Sequence, residues 1–121
     1  DIISVHSPLT HHTQHILNAN NIKLLKKQAL IINTARGGVI DEIAVLTALK
    51  NKSIAGVALD VLEMEPPSHD HLAMKMLDHD NLIITPHTAW ASEEAITTLT
   101  TQLLKKIEAF LQQQPFEDLT L

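Results

Sequence analysis

Short apolar runs and helix-like segments alternate along the chain. Four continuous apolar runs, at residues 2–6, 29–33, 53–61 and 81–86, have the length and composition of β-strands. The run at 29–33 shows no polar alternation, which is typical of a strand buried on both faces of a parallel sheet. Strands that recur about every 25 residues with helices between them predict an α/β fold with a doubly wound, Rossmann-type parallel sheet.

The spacing of apolar residues between the first two strands predicts a helix. Either Asn18 or Asn20 can cap its N-terminus, and Ile22, Leu24 and Leu25 form its apolar side.

Two further helices and one helical turn follow from the same criteria. Asp41 is the expected cap of a helix that carries Ile43 on its apolar side, and a single turn is expected at residues 72–77. Ser92 caps a last helix that runs to about Gln113 and is roughly 30 Å long. This length predicts that the last helix reaches beyond the sheet.

The composition fits one folded globular domain, since 45% of the residues are hydrophobic and 19% are charged. The formal net charge is -5 and the basic residues are scattered, so no nucleic-acid partner is expected. No apolar stretch approaches the roughly 18 residues that span a bilayer, so we expect no membrane partner and a cytoplasmic location. The absence of cysteine excludes disulfides, thiolate zinc ligands and cysteine nucleophiles.

The histidines raise the question of a metal site. His11, His12 and His15 lie close in sequence, as do His69 and His71, but no H-E-x-x-H pattern, cysteine or carboxylate pair accompanies them. We therefore predict no metal site and interpret these histidines as parts of solvated loops.

Three side chains that can carry chemistry come just after predicted strands. Arg36 closes the second strand, Glu65 follows the third by a few residues, and His87 ends the fourth. The carboxyl ends of parallel strands meet at one crevice, where open α/β sheets bind ligands. We therefore expect the three side chains to converge.

The chemistry of these three side chains suits the reduction of a 2-keto acid. A guanidinium can hold the substrate carboxylate through a planar fork. An imidazole can give a proton to the carbonyl oxygen and accept one in the reverse reaction, and a carboxylate beside it favours the protonated ring. Simpler interpretations stay open: Arg36 could pair with Asp41, Glu65 could be a solvated loop carboxylate, and His87 could have no chemical role.

Three segments carry a resemblance to a known family: LLKKQALIINTARGGVIDEIAVLTAL, GVALDVLEMEPP and NLIITPHTAWAS. They resemble the D-isomer-specific 2-hydroxyacid dehydrogenases, and within that family are most similar to glycerate dehydrogenases (hydroxypyruvate reductases). Trp90 is the residue that favours this branch over lactate or phosphoglycerate enzymes, although it could equally be a buried anchor for its loop.

The resemblance implies that this chain is the C-terminal part of a longer oxidoreductase. Residues 1–91 then correspond to the C-terminal half of an NAD(P)-binding domain, and residues 92–121 to a helix and tail that return toward a substrate domain. Such an enzyme transfers a hydride between a nicotinamide cofactor and a small D-2-hydroxy acid or 2-keto acid, and the fragment alone is expected to be inactive.

The same resemblance implies roles for particular residues. The catalytic set is Arg36, Glu65 and His87. Residues implied in cofactor binding lie on the adenosine side, along the nicotinamide ribose and near the carboxamide: Ser7, Pro8, Thr13, Thr34, Ala35, Arg36, Asp60, His87 and Ala89. For Asp60, a cap of the turn after its strand is an equally good interpretation.

The glycines limit what this chain can bind. Only Gly37, Gly38 and Gly56 are present, so the G-x-G-x-x-G turn that holds a pyrophosphate is missing. The acidic residue that selects NAD over NADP is missing with it. NAD is the expected cofactor, and NADP stays open.

Two hypotheses concern partners. The first strand has an unpaired edge if its usual neighbour is missing, and self-association through that edge, as a homodimer, is expected. The alternative to an enzyme is a non-enzymatic NAD(H)-sensing module, because the family also resembles transcriptional corepressors. Retention of the triplet favours the enzyme.

Overall fold

The computed structural model describes residues 1–115 of the chain. Four strands form one parallel sheet in the order β1-β2-β3-β4: β1 is Ile2–Val5, β2 is Leu30–Asn33, β3 is Gly56–Leu59 and β4 is Leu82–Ile84. The helices are α1 (Glu42–Lys50), α2 (Leu72–Lys75) and α3 (Glu93–Leu111). The predicted α/β class with a parallel sheet and a long last helix is confirmed.

Helix α1 begins where the sequence predicts, but its buried side differs. The Asp41 carboxylate caps the helix by accepting a hydrogen bond of 2.9 Å from the backbone N–H of Ala44. Ile43, expected on the apolar side, is 53% exposed, whereas Glu42 is only 2% exposed. The prediction for Ile43 is wrong because backbone and histidine contacts, described below, draw Glu42 inward.

The helix predicted after Asn18 or Asn20 does not form. Only a 3-10 turn, Ile22–Leu24, is present, and Leu24 is 84% exposed. The backbone N–H of Asn18 donates to the side chain of Asn21, whose own amide donates to the carbonyl of Ile16. Asparagine side chains that bond to nearby backbone groups compete with helix formation, which explains the failed prediction.

One face of the sheet is buried and the other is largely open. Ile31 is fully buried and Leu59 is 1% exposed, and both belong to the core that includes the inner side of α1. Leu30 is 39% exposed and Ile83 is 63% exposed. The expectation that residues 29–33 are covered on both faces is therefore wrong in the described part of the chain.

The chain divides into two compact units, Asp1–Thr88 and Ala89–Leu121. The second contains α3, which Ser92 caps by accepting a hydrogen bond from the N–H of Ala95, as the sequence predicts. No residue of α3 is buried, and Trp90 is 59% exposed, which contradicts its interpretation as a buried anchor. The end of the predicted tail, residues 116–121, lies outside the described residues. None of the helices within residues 1–115 combines the length and apolar character that crossing a bilayer requires.

Candidate active site

Asn33, the last residue of β2, shapes the turn that presents Arg36. Its side chain is fully buried, donates to the Arg36 carbonyl at 2.9 Å and accepts from the N–H of Ala35 at 3.0 Å. The Arg36 guanidinium is exposed and donates to the Ala35 carbonyl at 2.7 Å. Among residues 1–115 no ion pair joins Arg36 to Asp41, so the simpler interpretation of Arg36 is wrong.

The Arg36 turn packs directly on the loop that follows β3. A Cβ placed on Gly37 would lie 2.2 Å from both the carbonyl carbon and the carbonyl oxygen of Leu62. It would also lie 2.4 Å from the nitrogen of Glu63. Glycine at position 37 therefore allows a backbone approach that no other residue permits.

Glu65 and His87 form the closest contact among the predicted site residues. His87 Nδ1 lies 2.7 Å from Glu65 Oε2, and the backbone N–H of Leu62 donates to Glu65 Oε1 at 2.8 Å. Both carboxylate oxygens are thus engaged. These contacts hold the pKa of Glu65 below its ordinary value of 4.5, the Leu62 N–H more strongly than the His87 ring.

The backbone around His87 is held in an uncommon conformation. His87 has a φ of 54°, in the left-handed region that side-chain-bearing residues seldom occupy. Asp60, at the end of β3 and 5% exposed, accepts hydrogen bonds on both sides of this residue, from the Thr85 hydroxyl at 2.5 Å and the Thr88 N–H at 2.9 Å. Such bracing offsets the strain of a positive φ.

The three predicted catalytic side chains line one cleft of about 240 Å³ at the carboxyl edge of the sheet. Leu9, from the loop after β1, also lines this cleft. Glu65 and His87 border a second cavity of about 380 Å³, whose walls include Met74 and Leu77. The arrangement puts a fixed cation, a carboxylate and an imidazole around the same small volume.

The other cofactor candidates lie at the ends of β1 and β2 or beyond the first unit. The Thr13 hydroxyl donates to the Pro8 carbonyl at 2.6 Å, so it organises the loop that follows β1 and contains Ser7. Thr34 is exposed and Ala35 is half-buried in the turn after β2. Ala89 belongs to the second unit. For these residues and for Asp60, cofactor binding stays a prediction.

Two histidines interpreted as solvated take part in specific contacts. His15 Nε2 lies 3.0 Å from Glu63 Oε1, and His71 Nε2 lies 3.1 Å from Glu42 Oε1. The His71 side chain is 16% exposed, so the solvated interpretation is wrong for it. Burial raises the pKa of Glu42 above its ordinary value of 4.5. No sequence pattern marks Glu42, because it stands in the first turn of a helix, where exposed glutamates are common.

Known proteins resemble this chain over nearly its whole length. Residues 1–89 match the family model described as "D-isomer specific 2-hydroxyacid dehydrogenase, NAD binding domain". A putative 2-hydroxyacid dehydrogenase of Haemophilus influenzae is 48% identical over 93% of this chain and 36% of its own length. A glycerate dehydrogenase of Methylorubrum extorquens is 45% identical over 95% of this chain and also 36% of its own.

A solved structure of the same family also resembles this chain. It is the NAD-complexed form of a D-isomer specific 2-hydroxyacid dehydrogenase from Lactobacillus delbrueckii ssp. bulgaricus, with a TM-score of 0.88 at 28% identity. The match covers 100% of this chain and 40% of that one. The chain thus spans little more than a third of the length of the curated relatives above, 36% in each case. Within that span its sequence and its sheet agree with one family, and the chain belongs to the D-isomer specific 2-hydroxyacid dehydrogenases.

Proposed function

We propose that this chain supplies the proton-transfer and carboxylate-binding side chains of an NAD-dependent dehydrogenase that interconverts a small 2-keto acid and the D-2-hydroxy acid. The observation that carries the proposal is the 2.7 Å contact between His87 Nδ1 and Glu65 Oε2 in the cleft that Arg36 also lines. A guanidinium beside a carboxylate–imidazole pair is the set of groups that this reaction needs.

The contact between Glu65 and His87 assigns the two ring nitrogens different roles. The carboxylate accepts from Nδ1–H, which leaves Nε2 as the atom that exchanges a proton with the substrate. In the reducing direction His87 gives its Nε2 proton to the carbonyl oxygen as the carbonyl carbon receives a hydride. In the oxidising direction the same nitrogen takes the hydroxyl proton. Glu65 fixes the ring orientation and stabilises the positive charge that the ring carries before it donates.

Arg36 provides the anchor for the substrate. The guanidinium is exposed at the cleft and stays charged at any physiological pH. Two parallel N–H groups can bind the substrate carboxylate in a fixed plane, which sets the neighbouring carbonyl at a defined position. Arg36 and His87 thus bind adjacent groups of one small molecule.

The residues present fit the nicotinamide end of NAD, which supplies or accepts the hydride when it is bound. The hydroxyls of Ser7 and Thr34 and the carboxylate of Asp60 are groups that bind ribose hydroxyls and a carboxamide. The pyrophosphate does not fit this chain, because its three glycines, Gly37, Gly38 and Gly56, form no G-x-G-x-x-G turn. We infer that a further segment of polypeptide completes the cofactor site. NADP stays an alternative to NAD.

Hydroxypyruvate and glycerate are the substrate pair that we favour. The support is the T-P-H-T-A-W segment that ends in Trp90, together with the similarity to a glycerate dehydrogenase and to a hydroxypyruvate reductase of Thermotoga maritima. A cytoplasmic location and a homodimer stay predictions from the sequence.

The proposal is tested on the full-length natural protein that carries this chain. NADH oxidation is followed with hydroxypyruvate, glyoxylate and pyruvate, and hydroxypyruvate is expected to give the highest kcat/KM. His87→Gln is expected to lower kcat by about a hundredfold or more, whereas His69→Gln, at an exposed histidine outside the cleft, leaves it unchanged. Turnover of the His87→Gln variant at the wild-type rate would remove His87 as the proton donor. Tight NADH binding without turnover of any 2-keto acid would instead support the NAD(H)-sensing module.

A further inference from the structure

Two histidines and two glutamates outside the Arg36, Glu65 and His87 triplet form a continuous chain at the carboxyl edge of the sheet. His15 Nε2 lies 3.0 Å from Glu63 Oε1, which accepts a long hydrogen bond of 3.4 Å from the backbone N–H of Glu42. Glu42 Oε2 accepts in return from the backbone N–H of Glu63 at 2.9 Å, and Glu42 Oε1 lies 3.1 Å from His71 Nε2. We call these four residues, His15, Glu63, Glu42 and His71, the clamp.

The clamp joins segments that are far apart in sequence. His15 belongs to the loop after β1, Glu63 to the loop after β3 and Glu42 to the first turn of α1. His71 caps α2, where its Nδ1 accepts from the N–H of Ala73 at 3.3 Å. A neutral His71 ring therefore carries its proton on Nε2, the atom that faces Glu42. Within residues 1–115 no three such side chains are grouped as metal ligands.

The clamp holds the peptide group next to the one that binds Glu65. The N–H of Leu62 donates to Glu65 Oε1 at 2.8 Å, and the next N–H along the chain, that of Glu63, donates to Glu42 Oε2 at 2.9 Å. Gly37 lies against the same Leu62–Glu63 peptide group, with no room for a side chain. The loop is thus supported by Gly37 and held by Glu42. Because Leu62 belongs to both peptide groups, a displacement of the Leu62–Glu63 peptide would also shift the Leu62 N–H that holds Glu65.

The energetics of Glu42 indicate that the clamp has a role beyond packing. Glu42 is 2% exposed, and none of the residues described here gives its Oε1 a directed hydrogen bond, although His71 Nε2 lies near. An apolar side chain of similar volume would avoid the cost of desolvating a carboxylate, and such replacements are often neutral or stabilising. Glu42 thus places a carboxyl group where packing alone does not need one.

We propose that the clamp positions Glu65, and through it His87, by fixing the Leu62–Glu63 peptide from the side of α1. The inference rests on the proposed function, in which Glu65 orients the His87 ring. Glu42 is then a positioning residue, since it reaches the reaction only through the backbone of the β3 loop. His15 lies at one end of the clamp, next to Glu63, and His71 lies at the other, next to Glu42.

The test uses Glu42→Met in the full-length natural protein, because methionine keeps the volume of Glu42 and removes the acceptor for the Glu63 N–H. We expect kcat for the 2-keto acid to fall by about ten- to a hundredfold, with the KM for NADH unchanged. Glu42→Gln restores an acceptor oxygen and is expected to recover most of the rate. Asp70→Asn removes a 98% exposed carboxylate next to His71 and serves as the matched control, with no expected effect.

A second readout follows Glu65 directly and needs no turnover. The Leu62 N–H is the main cause of the low pKa of Glu65, ahead of His87, while desolvation and, more weakly, Asp60 raise that pKa. A Leu62 N–H displaced away from Glu65 would let the pKa of Glu65 rise toward 4.5. The carboxyl carbon of Glu65 is titrated by NMR in the wild type and in Glu42→Met, with Glu65→Gln to assign the signal. A rise in Glu42→Met that Glu42→Gln reverses is the expected result.

The outcomes separate this inference from the proposed function. Wild-type kcat and wild-type Glu65 titration in Glu42→Met would overturn the positioning role, whatever the substrate proves to be. A wild-type protein that reduces no 2-keto acid would overturn the proposed function, and the Glu65 titration would still decide whether the clamp acts on that carboxylate. If Glu42→Met does not fold, Glu63→Ala at the 40% exposed end removes the acceptor for the Glu42 N–H and the His15 contact without entering the core. It is expected to change kcat and the titration in the same direction, and no change in either would overturn the role.

Discussion

The first turn of α1 and the loop after β3 each present a glutamate to the same group of backbone amides, in opposite environments. Glu42, in α1, is 2% exposed, and burial raises its pKa above 4.5. The Glu65 side chain, in the loop, is 36% exposed, and the Leu62 N–H followed by the His87 ring lowers its pKa below 4.5. One carboxylate is held inside the fold against its solvation preference. The other is kept charged at the cleft, where it can act on an imidazole.

Removal of the buried carboxylate of Glu42 is expected to have the largest effect on stability and tests the contrast between the two glutamates most strongly. Glu42→Ala leaves a cavity and a Glu63 N–H without its acceptor, so we expect the free energy of unfolding to fall by about 2–3 kcal/mol. Relief of the desolvation of Glu42 offsets part of the loss. Urea denaturation measures the change. Glu65→Ala is the matched control and is expected to cost about 1 kcal/mol, because it removes the acceptor of the Leu62 N–H but leaves no cavity in the core; equal losses would contradict the contrast.

Removal of the charge of Glu65 at the cleft tests whether that glutamate acts in the reaction. Glu65→Gln keeps an oxygen for the Leu62 N–H but cannot stabilise a positive His87 ring, so kcat/KM for 2-keto acid reduction is expected to drop by about a hundredfold in the full-length protein. Steady-state kinetics with NADH provide the measurement. The urea midpoint of the same variant at neutral pH should fall only slightly, by the small stabilisation that the lowered pKa of Glu65 provides. A kcat/KM within about threefold of the wild type would argue against a role for Glu65 in the reaction.

The pH dependence of stability gives the smallest effect, and the two carboxylates contribute with opposite signs. The folded-state pKa of Glu65 is lowered, so its stabilisation is present above pH 4.5 and is lost as the pH falls through the folded value. The folded-state pKa of Glu42 is raised, so its contribution is present below pH 4.5 and is lost as the pH rises through the folded value.

Urea midpoints between about pH 3 and pH 7 test these signs. Glu65→Gln is expected to reduce the loss of stability below pH 4.5. Glu42→Gln is expected to reduce the decline of stability just above pH 4.5. Identical pH profiles for the two variants would show that the environments of Glu42 and Glu65 are not opposite.

The sequence predicted those parts of the fold that depend on local pattern. Continuous apolar runs identified the four strands, and the side chains of Asp41 and Ser92 identified the starts of α1 and α3, because a cap bonds to a backbone N–H only three residues away. The same pattern located Glu65 and His87 after neighbouring strands. Parallel strands bring their carboxyl ends together, so the sequence alone predicted that these two side chains converge, and the structure places them 2.7 Å apart.

The sequence did not predict contacts that join distant segments through single groups. Burial of Glu42 depends on the N–H of Glu63, 21 residues away, and on His71, which helical periodicity does not register. The failed helix at Ile22–Leu24 has a comparable cause, since competing asparagine bonds are decided by the course of the whole loop. The exposed face of the sheet around Leu30 shows that a continuous apolar run indicates a strand but not what covers it.

The close approach at Gly37 also constrains how this sequence can vary. Since the Leu62–Glu63 peptide occupies the space that a side chain at position 37 would need, any larger residue there would push the Arg36 turn away from the loop of Glu65. An insertion in either loop is likewise expected to increase the distance between Arg36 and the pair of Glu65 and His87. A variant that accepts a larger substrate is therefore expected to carry substitutions in other walls of the cleft and to keep both of these loops unchanged.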